Sequence, residues 1–495
     1  MMFFIVFVFL TLLFTFSFVK HLRKPSAEKR RRLPPGPRKL PFIGNLHQLG
    51  TLPHQSLQRL SREHGPLMLL QLGSIPTLVV SSADMAKEIF TNYDSVFSGR
   101  PLLHAANRLG YGSGVSFSPY GEYWREMRKI MVSRLLSPKR VESFEGVRSD
   151  EVKLMLEAVA LSPGPVNLTE LTLLLTNNVV CRVALGKRDR GTKKVYKTLK
   201  ETQQMLGGFF VDDFFPRLGW LNKFTGFQSR LEKNFRDMDS FYDQVIKEHI
   251  DESSDRARAD HEDVVDVLLQ LQKDSSQPIA ITDRQIKGVL VDIFVAGTDT
   301  SAATMIWIMS ELIRNPKAMK RAQEEVREIM KGKEMVKEID LSKLVYLKSA
   351  VKEAMRLHPP APLLVPRETT ESCMIKGFEI PAKTRVLVNA KSIAMDPTCW
   401  ENPNEFLPER FLDSSIDYNK GQHFEMLPFG VGRRGCPGVN FAMPLVELAL
   451  ANLLFRFDWK LPHGIEIEDL NMDEAIGITI HKKEHLWLNA TPFHE

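Results

Sequence analysis

The sequence predicts a mainly α-helical chain with a small β portion, folded as one large domain. Three observations carry this. The longest helical pattern, Asp283–Arg314, runs for 32 residues, with Thr282 and Gln285 spaced as a capping box before it and Asn315-Pro316 stopping it. Strand-like runs are confined to two short sets, at 67–81 and 363–391. No internal repeat and no βαβα alternation occurs along the 495 residues.

In chain order, Met1 to Val19 carry no charge and are dominated by Phe, Leu, Val and Ile. A helix needs about 20 apolar residues to cross a bilayer, so residues 1–20 are expected to form a transmembrane signal anchor. A cleaved signal peptide would place its charges before the apolar run and a small-residue cleavage site after it. Here seven cations against Glu28 alone follow in residues 20–32, a surplus equal to the whole net charge of +6. Such a cluster stays cytoplasmic, which puts the remainder of the chain in the cytosol. Asn167-Leu168-Thr169 and Asn489-Ala490-Thr491 then never meet the glycosylation machinery. Residues 21–38 end in Pro34-Pro35-Gly36-Pro37, a stiff hinge or an ordinary linker, and 39–495 form the catalytic domain. The domain itself is formally neutral, with no basic stripe interleaved with aromatics, so nucleic acid is not an expected partner. Cys181, Cys373, Cys399 and Cys436 form no C-x-x-C pair, which argues against zinc, and so few thiols in so long a chain are expected to stay reduced.

Leu67–Leu72 and Thr77–Ser81, around Gly73 and Pro76, form a predicted hairpin. Residues 83–360 are mostly helical. Short strands with turns at Lys376-Gly377 and Pro381-Ala382 follow, then an irregular Pro- and Asn-rich stretch at 396–411. At 1.5 Å per residue the 32-residue helix spans about 48 Å, enough to cross the domain, and its apolar content all round marks it as buried.

Four clusters carry chemistry. Mid-helix, Ala296-Gly297-Thr298-Asp299-Thr300-Ser301 sits where propensity disfavours it, since Gly costs about 1 kcal/mol against Ala. Gly297 lets something approach closely, a ligand or another helix. Thr300 can bond back to the Ala296 carbonyl or hand a proton to a ligand, and Asp299 can feed protons from solvent. Glu353 and Arg356, at i and i+3, with Arg410 of Pro408-Glu409-Arg410-Phe411, would lock the core if buried together. Trp124 and Arg128, at i and i+4, suit an anionic carboxylate, or else are a half-buried Trp beside a surface Arg. Finally, Pro428-Phe429-Gly430-Val431-Gly432-Arg433-Arg434-Gly435-Cys436-Pro437-Gly438 presents one cysteine behind three glycines and before an apolar run. Gly430, Gly432 and Gly435 also match the G-x-G-x-x-G of dinucleotide loops, with Asp458 near the ribose-binding position. Pro428 stands where a buried strand should precede that motif, and no βαβ unit surrounds it. The thiolate-loop reading uses every residue: the glycines turn N–H groups toward sulfur, Phe429 covers it, and the following helix offers its positive end.

Together these motifs, in this order and across the whole chain, resemble the cytochrome P450 family, in the plant microsomal A-type group and most like families 71 and 83. Phe429-x-x-Gly432-x-Arg434-x-Cys436-x-Gly438 matches the haem-ligand signature, Ala296-Gly297-x-Asp299-Thr300-Ser301 the oxygen-activation motif, and Glu353-x-x-Arg356 with Arg410 the core triad. The resemblance implies haem b held through Cys436, with Trp124, Arg128, Arg367 and Arg434 on its propionates. It implies Thr300 and Asp299 as proton-delivering residues, and a pocket lined by Val115, Asp292, Ala296, Pro362, Val365 and Ile478. Asp292 could bind a cationic amine or hydrogen-bond backbone. Electrons would come from NADPH through the membrane-bound NADPH–cytochrome P450 reductase, at the endoplasmic reticulum. The implied activity is hydroxylation, epoxidation or oxidative coupling of a hydrophobic plant metabolite, a terpenoid or alkaloid first and a phenylpropanoid next. The alternative is a rearrangement or dehydration without net oxygen insertion.

Overall fold

The computed structural model describes residues 32–186, 193–251, 262–418 and 421–494, together with Thr15. Apart from Thr15, the expected anchor therefore lies outside the described residues, as does the hinge up to Arg31.

The long helix forms over Asp283–Arg314 as its signals require. The Gln285 side chain accepts the Thr282 backbone N–H at 3.0 Å, and the Asn315 N–H returns to the Glu311 carbonyl at 3.0 Å before Pro316 opens the next helix. Most of its side chains are buried, among them Phe294, Met305, Trp307 and Leu312. It packs on the helix Leu168–Leu185, on Val345–Leu357 and on Val439–Arg456. At Gly297 the helix Leu168–Leu185 comes close enough that an added Cβ would lie 3.0 Å from Val180 Cγ2. Among the described residues three helices, Leu168–Leu185, Asp283–Arg314 and Val439–Arg456, are long and apolar enough to cross a membrane, yet the apolar stretch of each is two-thirds buried inside the fold. They make its core.

The predicted hairpin is Leu67–Leu72 paired with Ile75–Val80. Arg385–Val388 joins the second strand in parallel, and Arg367–Glu368 flanks it, giving a four-stranded sheet. Pro34-Pro35-Gly36-Pro37 is docked and not a free linker: Leu69 N–H donates to the Pro35 carbonyl at 2.8 Å, and a Cβ on Gly36 would meet Leu69 O at 2.1 Å. One set of strands escaped the sequence reading. Phe457–Lys460 and Trp487–Pro492 pair antiparallel, and Val166–Asn167 adds to the latter. Asp458 stands on the first of these and pairs with Arg327 at 2.8 Å.

Glu353, Arg356 and Arg410 meet as expected. Glu353 accepts two parallel bonds from Arg356 at 2.8 Å each, one from Arg410 at 3.2 Å and the Leu407 N–H at 3.0 Å. Arg356 also donates to the carbonyls of Ala394, Pro403 and Glu405. Glu353 and Arg356 are wholly buried, so each charge is matched where water cannot help.

Candidate active site

The glycine-rich loop turns as the thiolate reading requires. Gly430 and Gly432 adopt φ of +67° and +69°, which L side chains avoid, and a Cβ on Gly432 would strike the Asp94 carboxylate at 2.3 Å. Gly435 does not share this conformation; its carbonyl instead accepts from Arg128 at 2.6 Å. Cys436 N–H closes the loop onto the Phe429 carbonyl at 2.9 Å. The sulfur accepts one N–H, that of Gly438, at 3.3 Å, at the start of the helix Val439–Arg456. Gly438 thus supplies the donor that was expected of the earlier glycines. Cys436 lines a cavity. Burial pushes its thiol up, while the Gly438 N–H and the Arg128 charge pull the other way.

The same cavity is lined by Trp124, Arg128, Arg367, Phe429 and Arg434, all expected there, and by Arg100, which was not. Arg100 donates to the carbonyls of Ser116, Val365 and Pro366 at 2.7–2.9 Å. Arg434 bonds the carbonyls of Ser98, Val115 and Ser118 and lies 4.0 Å from the Trp124 ring centroid. Trp124 Nε1 donates to the Val115 carbonyl at 3.0 Å, which settles this helix as buried and turned inward. The only sequence signal for Arg100 is its place between Gly99 and Pro101 after the apolar Val96-Phe97.

These arginines disturb one another. Arg434 is driven down to about 9 by burial and by the charges of Arg367 and Arg128, and Arg367 to about 10 chiefly by burial. Arg100 falls well below its ordinary value through burial, Arg367 and Arg434. Mutually repelling guanidinium groups around an apolar cavity call for an anionic guest, and a cysteine sulfur on the same wall can take a metal. The residues present therefore fit a haem, with its two carboxylates and its iron.

On the central helix Thr300 Oγ1 donates to the Ala296 carbonyl at 2.6 Å, as expected, and Thr300, Ala296 and Gly297 all line the Cys436 cavity. Gly297 thus serves both readings, facing the cavity while Val180 packs against it. Asp299 is buried, and its Oδ1 lies 2.8 Å from His481 Nε2. Val115, Asp292 and Val365 line this cavity too, and Ile478 lines the adjoining one that shares Asp292, Ala296 and Thr300. Pro362 does not line either. The turn that brings Leu364 N–H back to the Ala361 carbonyl points Ala361 and Val365 inward and leaves Pro362 buried behind them, its carbonyl accepting from Lys391 N–H. Asp292 Oδ2 accepts the Val115 N–H at 2.5 Å and the Ser116 N–H at 3.2 Å, which ties loop 112–118 to the helix. Burial nevertheless raises its carboxyl to about 6.

A sequence model of the cytochrome P450 family matches residues 34–488. Cytochrome P450 71A9 of Glycine max is 80% identical over 99% of both chains. Strychnine-11-hydroxylase of Strychnos nux-vomica is 54% identical over 98% of this chain and 96% of its own length. Phenylacetaldehyde oxime monooxygenase of Prunus mume is 42% identical over 98% and 94%. A cysteine loop, an arginine-lined cavity and a threonine-bearing helix could be assembled in other ways, but not with such likeness along the whole length: the chain belongs to the cytochrome P450 family, as a haem monooxygenase of the plant 71 type that draws its electrons from NADPH through a reductase.

Proposed function

We propose that the protein is a membrane-anchored monooxygenase of a hydrophobic plant specialised metabolite, a terpenoid or an alkaloid ahead of a phenylpropanoid. The observation that carries this reading is that Cys436 and Thr300 face one cavity whose remaining wall is largely apolar, with Val115, Ala296, Ala361 and Val365 contributing. A small set of placed polar groups in an apolar pocket orients a hydrophobic ligand by shape. The relative named strychnine-11-hydroxylase supports the alkaloid class.

Each residue has a role derived from its position. Cys436 would ligate the haem iron, and Arg100, Arg128, Arg367 and Arg434 would hold the propionates, while Trp124, whose one N–H goes to the Val115 carbonyl, backs the Arg434 guanidinium with its ring instead of bonding a propionate itself. Bound there, the haem supplies activation of dioxygen, which its thiolate ligand favours. Thr300 holds a hydroxyl proton at the cavity wall, and buried Asp299, the next residue along the helix, would pass protons toward it. Val115, Ala296, Val365 and Ile478 exclude water and place the substrate, while Asp292 keeps loop 112–118 closed over it. Residues 1–20 would anchor the protein in the endoplasmic reticulum membrane, 21–38 form the hinge, and 39–495 form the catalytic domain facing the cytosol. The exposed Leu33, Leu40, Phe42 and Ile43 beside the docked hinge support a surface lying against the bilayer.

The test is a panel of terpenoids, alkaloids and phenylpropanoids in microsomes with the reductase, read by mass spectrometry under labelled dioxygen. The expected product carries one labelled oxygen and requires NADPH. An unlabelled isomer or dehydration product formed without NADPH would overturn the proposal in favour of rearrangement.

A further inference from the structure

The oxygenation consumes protons as well as electrons: one dioxygen, two electrons and two protons convert R–H to R–OH and water. Asp299 and the side chain beside it bear on where those protons enter. Asp299 is almost fully enclosed, with a side-chain exposure of 8%, whereas His481, 2.8 Å from its Oδ1, is 29% exposed. The imidazole thus spans the distance from solvent to a buried carboxylate one residue from Thr300. An imidazole has two ring nitrogens, one to face Asp299 and a second with which to exchange protons with water.

We propose that His481 is the solvent-side proton donor of the oxygenation, reloading Asp299 each time Asp299 has passed a proton on toward Thr300. In each transfer the proton leaves His481 Nε2 for Asp299 Oδ1. Asp299 gives it up toward the Thr300 hydroxyl as that group donates its own into the cavity. The imidazole is then reprotonated from water. Two such transfers supply both protons in the balance above, and the reductase supplies both electrons.

Other groups around Asp299 are less suited. Tyr196, from the helix Lys193–Leu206, has its phenol pushed up by burial, with Glu170 and Asp299 adding to the effect, so at neutral pH it keeps its proton. Nor is the His481 side chain needed to hold its own loop. The Ile480 N–H donates to Pro360 O at 2.8 Å, buried Trp307 donates to Ile480 O at 2.9 Å, and Ala475 N–H donates to His481 O at 2.8 Å. A side chain whose loop is pinned by backbone is free to serve another end.

This inference rests on the proposed role of Asp299 and Thr300, and the test separates the two. Full-length protein in reductase-containing nanodiscs is given NADPH and air, without added substrate. NADPH oxidation and hydrogen peroxide release are followed in light and heavy water for the wild type, His481→Gln, His481→Ala and Asp299→Asn. Glutamine keeps an N–H toward Asp299 but cannot relay a proton. A crystal structure of His481→Gln reports whether Asp299 stays in place. General acids contribute about 10²–10⁴-fold to rates. NADPH oxidation in His481→Gln should therefore fall about tenfold or more, with an altered solvent isotope effect and Asp299 unmoved. A wild-type rate in His481→Gln beside a slow Asp299→Asn overturns the role of His481 alone. A slow His481→Gln with Asp299 displaced also overturns it, because positioning would then account for the loss. A wild-type rate in Asp299→Asn overturns the underlying reading of Asp299.

Discussion

Replacing Asp292 with asparagine keeps the acceptor that ties loop 112–118 to the central helix and removes its charge. In the wild type Oδ2 accepts from Val115 at 2.5 Å and Ser116 at 3.2 Å, yet burial outweighs these bonds and lifts the carboxyl from 3.8 to about 6. The folded chain therefore holds this proton more tightly than the unfolded chain does. The resulting stability is fully present below the unfolded value and is lost as pH rises through the folded one, between about pH 4 and pH 6. Some two units at ~1.4 kcal/mol each amount to about 3 kcal/mol, lost at pH 7 and above. D292N should recover up to that amount at neutral pH and nothing at pH ~4. D292A should instead lose stability at every pH, because two buried N–H groups lose their acceptor at about 1–3 kcal/mol apiece. Urea midpoints followed by tryptophan fluorescence at both pH values decide it. A D292N that is destabilised at neutral pH as much as D292A would refute the reasoning, since the charge would then be doing the tying.

Glu353 offers a second test: E353A strands the wholly buried Arg356 guanidinium and takes a partner from half-buried Arg410, for an expected loss of about 3–5 kcal/mol in urea unfolding. R100M keeps the bulk of the side chain but removes its guanidinium, which donates to the carbonyls of Ser116, Val365 and Pro366 and would hold a propionate; a lost charge-assisted bond to haem is worth about 1.5–3 kcal/mol, so haem transfer to apomyoglobin should speed up about tenfold or more. T300A should leave haem binding intact and raise the hydrogen peroxide released per NADPH consumed, because the hydroxyl now held on the Ala296 carbonyl is gone. Equal peroxide yields in T300A and wild type would remove Thr300 from proton delivery.

Much of the site was legible because its residues sit in contiguous motifs. Cys436, Thr300 and Glu353 each stand among neighbours whose types make little sense otherwise, such as Gly432, whose φ only glycine takes easily. The long helix was legible to its ends because both carry local stop signals. What stayed hidden depends on distant contacts. Arg100 is one arginine in a loop until Arg367 and Arg434, more than 250 residues away, close around the same cavity. His481 lies in a polar run, His481-Lys482-Lys483, that looks like ordinary surface until the last loop folds back on Asp299. Pro362 was misplaced because a turn at Leu364, with φ of +52°, decides which of its neighbours face inward. The strand Phe457–Lys460 alternates buried and partly exposed residues, but over four positions that pattern is too short to stand out from the end of a helix.

The central claim is that Cys436 holds haem iron as a thiolate in this cavity. Its most direct test is the absorption spectrum of the reduced, carbon monoxide-bound protein, recorded for the wild type and for C436S at equal haem content. A strongly red-shifted band in the wild type that is lost in C436S is the result this account predicts. A wild type without that band, or a C436S that keeps it, would contradict it.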